Sequence, residues 1–174
     1  MISLVGLPGC GKSTVGWQLA RRLRQPFFDA DKHIEQQLGC SIRDWFAKEG
    51  ESSFRTIETE VLDRLTRGGF GVLSTGGGAV LASANRQCLR ERTRVIYLNA
   101  TPEQLMHRLR HDTQRPLLQV ADPLTRLREL FVQRDPLYRE IAHYVVDTGR
   151  PSVPTLVNTI LRRLDLNPMH DDAT

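Results

Sequence analysis

Gly6-Leu-Pro-Gly-Cys-Gly-Lys12-Ser13 is the stretch on which the reading of this chain turns. It follows a nearly all-apolar run, Ile2-Ser-Leu-Val-Gly6, and opens onto residues 12–23, where Val15, Leu19 and Leu23 recur at helical spacing. In that strand-to-helix setting, G-x-x-x-x-G-K-[ST] is a phosphate loop. Glycines allow successive backbone N–H groups to turn inward on phosphate oxygens, and the following helix adds its positive N-terminal end. Lys12 is expected to reach the β and γ phosphates of a nucleoside triphosphate, and the Ser13 hydroxyl to ligate Mg²⁺. Cys10 fills a variable loop position, where a small side chain occupying space is the simplest reading.

Outward from the loop, β-type apolar runs alternate with amphipathic stretches, the pattern of βα units around a parallel sheet. Phe27-Phe28 reads as a short second strand ending at Asp29, and residues 71–75, 94–99 and 144–147 supply three more. A helix is expected over 52–67. Thr101, Pro102 and Gln104 signpost another with a capping box, and Asp122-Pro123 a further one. Pro136 is expected to end or kink that helix near Asp135. A last helix is expected over 154–164, and the polar end, 167–174, is expected to fray.

The 174 residues fit one domain, and the 25% charged content is that of a globular protein. Net charge is +4, and three lysines leave 21 of the 24 basic residues as arginine. Those arginines are interleaved with Glu and Asp along helices, and aromatics are only 6%, which speaks against a nucleic-acid footprint. No apolar run approaches the roughly 18–20 residues of a membrane span, and Ile2 to Leu7 is too short, without a basic leader, for a secretory signal. Cys10, Cys40 and Cys88 are widely spaced and odd in number, unlike a disulfide framework or zinc site. A cytoplasmic, monomeric protein is the expectation.

The loop does not identify the phosphoryl acceptor. Asp29-Ala-Asp31 lies just past the second strand, where open α/β sheets place ligands. Its two carboxylates could divide metal and proton-acceptor roles, or one could cap the next helix. Arg55 and Glu58 are i, i+3 neighbours: Glu58 could orient the guanidinium toward a ligand, or the two could form a surface ion pair. Gly76-Gly-Gly78 at a strand end suits backbone packed against a ligand, or a flexible turn.

Taken together, these motifs resemble the shikimate kinase family over residues 2 to about 164. GLPGCGKST, DAD at Asp29, GESSFRTIE ending at Glu58, STGGGAV from Ser74, RPLL from Arg115 and RDPLYREIA from Arg134 carry the resemblance. It implies an α/β three-layer sandwich: a P-loop kinase domain over 1–166, about five parallel strands ordered 2-3-1-4-5, flanking helices and a lid near 110–122. It further implies transfer of the γ-phosphoryl of MgATP to the 3-hydroxyl of shikimate, on the route to chorismate and the aromatic amino acids. By the same resemblance Gly9, Cys10, Gly11, Lys12, Ser13 and Thr14 wrap the phosphates, and Asp29 is the outer-shell Mg²⁺ carboxylate. Asp31 holds the acceptor hydroxyls and serves as base; Arg55 and Arg134 clamp the carboxylate; Glu58 orients Arg55; Gly77 gives a backbone contact. Arg115 is the lid arginine that closes on the transferring group, while Arg108 and Pro151 lie on the adenine side. Ser74-Thr75 stand where many P-loop enzymes carry a Walker B Asp, which this family also lacks. The competing readings are another small-metabolite kinase, such as gluconate kinase, and a non-catalytic ATP-dependent regulatory module.

Overall fold

Four consecutive buried residues, Ile2–Val5, form the central strand β1, and their apolar character follows from being covered on both faces. The computed structural model describes residues 1–110 and 120–166. Arg115, residues 111–119 of the expected lid and the tail at 167–174 lie outside the described residues. On one side β1 pairs with β3 (Val72–Ser74), which pairs in turn with β2 (Phe27–Asp29). On the other it pairs with β4 (Arg94–Asn99), which pairs with β5 (Tyr144–Asp147). All four pairings are parallel and the order is β2-β3-β1-β4-β5, as the resemblance implies.

Helix α1 (Lys12–Leu23) packs with α7 (Val153–Arg163) on one side of the sheet. Long α3 (Ile42–Arg67), α4 (Ser83–Arg92) and α6 (Pro123–Ile141) form the layer opposite, with α5 (Pro102–Leu109) against α6 and α2 (Ala30–Leu38) against α3. Leu4, Leu19, Leu73, Ile96, Leu127 and Ile160 are fully buried members of the main core. A second, smaller cluster of Ile34, Phe54 and Val61, with Trp45 and Phe46 against it, joins α2 to α3.

One helix departs from expectation, and a second decides between alternatives the sequence left open. The helix expected over 52–67 is the second part of α3, which starts at Ile42 behind a Ser41 cap and bends at Gly50. Gly50 has φ 82° and ψ 172°, which only glycine adopts without strain, so the sequence signal was broken at the bend. Pro136, by contrast, does not end α6, which runs on to Ile141. The carbonyl that its missing N–H leaves open belongs to Val132, a residue on the exposed face of the helix. Burial of Leu127, Leu130, Tyr138 and Ile141 then holds the helix together across the proline. The capping box on α5 is present as expected: the Gln104 backbone N–H donates to Thr101 Oγ1 at 3.2 Å and the Thr101 N–H to Gln104 Oε1 at 2.9 Å. The last helix is shifted by one residue at each end from its expected bounds.

Candidate active site

The loop after β1 winds around its own lysine. Gly11, at φ 99°, caps α1, so Lys12 is the first helical residue and its side chain folds back under the loop. Its Nζ donates to the Gly6 carbonyl at 2.8 Å and the Leu7 carbonyl at 3.1 Å, with Cys10 Sγ 3.7 Å away. Only 9% exposed, that ammonium is a fixed charge beside a ring of loop amides, as a polyphosphate requires. A cavity of about 490 Å³ opens beside it, lined by Gly9, Gly11, Lys12, Ser13 and Thr14 on one wall and by Asp29, Asp31, Ser74, Thr75 and Gly77 on the other. Cys10 is buried beneath the loop, the space-filling role expected of it.

Asp29 caps α2, one of the two roles open to it, and also reaches the phosphate loop. Its Oδ1 accepts from the backbone N–H groups of Asp31 and Lys32, capping α2, while its Oδ2 accepts from the Ser13 hydroxyl at 3.0 Å. The Ser74 hydroxyl lies 3.4 Å from that of Ser13. Asp31, in the first turn of α2, faces the cavity with its pKa raised. Burial is the main cause and the neighbouring Asp29 charge the next, with Lys12 pulling the other way. A carboxylate so placed is a stronger base than one in water.

The Arg55–Glu58 pair is no surface ornament. Arg55 Nη1 meets Glu58 Oε1 at 2.8 Å, and the Glu58 side chain is 2% exposed. Burial raises the Glu58 pKa, against the pull of Arg55. Glu51, one turn earlier, also reaches the Arg55 guanidinium, at 3.2 Å. The glycine turn at 76–78 fits among these groups because it has no side chains. A Cβ on Gly76 would sit 2.9 Å from Asp31 Oδ1 and 3.0 Å from Glu58 Oε2; one on Gly77 would strike Pro8, and one on Gly78 the Arg55 guanidinium. Arg134, on α6, faces the same region: its charge acts on both Arg55 and Glu58, and burial lowers its pKa.

On the far side of the loop, the Arg108 guanidinium donates to the Thr148 hydroxyl at 3.1 Å, the Thr148 carbonyl and, at 3.4 Å, the Cys10 carbonyl. It therefore lines the cavity as a strut between α5, the loop after β5 and the phosphate loop. Pro151 is exposed, two residues before α7, and is not among the cavity-lining residues. Sequence reasoning overlooked Tyr138, whose buried hydroxyl donates to the Gly77 carbonyl at 2.6 Å. The signal was its place four residues after Arg134, on the same helix face.

A nucleotide loop and an acidic, arginine-backed wall thus meet at the carboxyl ends of β1, β2 and β3, and a protein so built is a P-loop kinase. A sequence model of shikimate kinase matches residues 8–165. The shikimate kinase of Paracidovorax citrulli is 55% identical over 168 residues, covering 95% of this chain and 92% of that protein. The structure of the Acinetobacter baumannii shikimate kinase in complex with shikimate superposes with a TM-score of 0.89 at 45% identity, over 97% of this chain and 94% of that one. A gluconokinase from Sinorhizobium meliloti, at 20% identity and a TM-score of 0.61 over 94% of this chain and 90% of its own, shares the fold alone. The chain belongs to the shikimate kinase family, and it is an ATP-dependent kinase.

Proposed function

We propose that this chain transfers the γ-phosphoryl group of MgATP to the 3-hydroxyl of shikimate, with the following division of labour. The amides of Gly9, Cys10, Gly11, Lys12, Ser13 and Thr14, with the Lys12 ammonium, hold the triphosphate. Asp31 accepts the proton of the attacking hydroxyl, its basicity set by burial and by Asp29. Arg55 and Arg134 bind the acceptor carboxylate; Glu58 fixes Arg55, and Gly77 offers backbone. Phosphoryl transfer asks the protein for in-line placement and charge neutralisation rather than covalent chemistry, and these groups supply both. Arg115 would add charge from the lid side, and Arg108 and Pro151 would border the adenine.

The donor set fits Mg²⁺: Ser13 and Asp29 bring hard oxygens 3.0 Å apart, with the Ser74 hydroxyl adjacent and no soft ligand among them. When bound there, the ion neutralises charge on the β and γ phosphates. We further propose a single domain over 1–166 that acts as a monomer in the cytoplasm, with small-molecule ligands and neither nucleic acid nor membrane as partner. No described helix is long and apolar enough to cross a bilayer.

The observation that carries this reading is Gly76 standing between the Asp31 and Glu58 carboxyls, which joins the base to the arginine clamp beside Lys12. ADP release by purified protein with MgATP tests it, comparing shikimate, gluconate and no acceptor. Release stimulated by shikimate alone is the expected result. Equal stimulation by gluconate would contradict selectivity for shikimate and favour a less selective sugar-acid kinase, and release independent of any acceptor would favour a regulatory module.

A further inference from the structure

Three parts of the acceptor wall come from distant segments: Arg55 from α3, the turn at 76–78 from the end of β3, and Arg134 from α6. Arg55 is fixed by two carboxylates, Glu58 and Glu51. Arg134 has no such partner: it makes no ion pair with a described residue, and its buried Nε is without a hydrogen-bond partner. What stands beside it is the neutral phenol of Tyr138, one helical turn on. The Tyr138 ring is fully buried against Tyr97, with centroids 4.9 Å apart, and its hydroxyl donates to the Gly77 carbonyl. In a trans peptide the Gly77 carbonyl and the Gly78 N–H point in opposite directions, so this one bond fixes the plane of the 77–78 peptide. Gly78 in turn lies against the Arg55 guanidinium.

We propose that Tyr138 is a positioning residue for acceptor binding: its hydroxyl ties the glycine turn to the helix that carries Arg134, and its neutrality leaves the Arg134 charge for the acceptor carboxylate. A carboxylate at this place would hold Arg134 equally well but would match its charge before the substrate arrived. Glu58 and Glu51 are both engaged by Arg55, so the Arg134 charge is the one left for an anionic acceptor to complete, which a neutral polyol does not. The inference rests on the acceptor site proposed above.

Steady-state kinetics of Tyr138→Phe, alongside Arg134→Ala, test it. The Phe variant keeps the ring packing and loses one hydrogen bond, so KM for shikimate is expected to rise about 3- to 10-fold. KM for ATP is expected to stay within about twofold of wild type. Loss of folded protein alone would lower kcat with both KM values unmoved, and that result overturns the proposal, as does an equal rise in both. Replacing Tyr138 by 4-aminophenylalanine retains a donor toward Gly77 and is expected to restore the wild-type KM. A KM raised severalfold despite that donor also overturns the proposal, whether or not the Phe variant folds. If Arg134→Ala leaves KM for shikimate unchanged, the acceptor site itself is misassigned. If it raises KM and Tyr138→Phe does not, only the role of Tyr138 is wrong.

Discussion

Asp31 shows how a functional residue works against the fold that carries it. Burial and Asp29 raise its pKa, so the folded chain holds its proton more tightly than the unfolded chain does. In the interval between the unfolded and the raised folded value, the native state binds more protons, and stability falls as pH rises. Once ionised in the fold, the carboxylate is therefore a destabilising group, which the proposed role as base accounts for. Asp31→Asn is expected to lower kcat by about 10²–10⁴. Thermal unfolding above the raised pKa is expected to show the same variant with a higher Tm than wild type. A lower Tm would mean that Asp31 is tied into the fold by an attraction stronger than its desolvation. The sign of the electrostatics gives a second check. Protonating Asp31 removes the base, so kcat/KM falls as pH drops through its raised pKa. Asp29→Asn removes a charge that raises it, and the acid limb of the pH profile is expected to move to lower pH, whatever happens to the absolute rate.

At the scale of elements, the decisive unit is the α2–α3 corner, because it delivers Asp31, Arg55 and Glu58 from a small apolar cluster of its own. Phe54, next to Arg55, is 4% exposed and packs its ring 4.8 Å from that of Phe46. Phe54→Ala is expected to cost about 3–5 kcal/mol of stability, measured by urea unfolding. Because the cluster stands apart from the phosphate loop, KM for shikimate is expected to rise in this variant with KM for ATP little changed. Parallel effects on both would show that the corner and the nucleotide site share one support. This corner also marks where sequence reading reached its limit. The phosphate loop, the capping box at Thr101 and the buried strands were legible because each is set by local residue types. The first part of α3 was not, because Gly50 breaks the period at the bend, and at Pro136 the sequence left ending and kinking open, a choice decided by the burial of Tyr138 and Ile141 beyond the proline. Asp29 was ambiguous for a plain reason: its two oxygens do different things, one capping α2 and the other accepting from Ser13. Tyr138 escaped notice because its partner is a backbone carbonyl 61 residues away, which no motif spells out.

For the molecule as a whole, the 2-3-1-4-5 order brings the ends of β1, β2 and β3 side by side, so phosphate donor and acceptor are held by one rigid sheet. The nucleotide half is expected to fail without the acceptor half unfolding. Lys12→Met should reduce turnover by about 10²–10³ or more while circular dichroism and Tm stay near wild type, since the bonds its ammonium makes are all within its own loop. The central claim, however, is that the acceptor wall reads a carboxylate through Arg134 and Arg55. The most direct measurement is kcat/KM for shikimate and for its uncharged methyl ester, on wild type and on Arg134→Ala. Charge-assisted bonds are worth about 1.5–3 kcal/mol each, so the variant is expected to lose roughly 10- to 150-fold on the acid and little on the ester, which is already a poor substrate for the wild type. Loss of the same factor on both substrates would contradict the clamp and place Arg134 in the support of the fold or of the nucleotide.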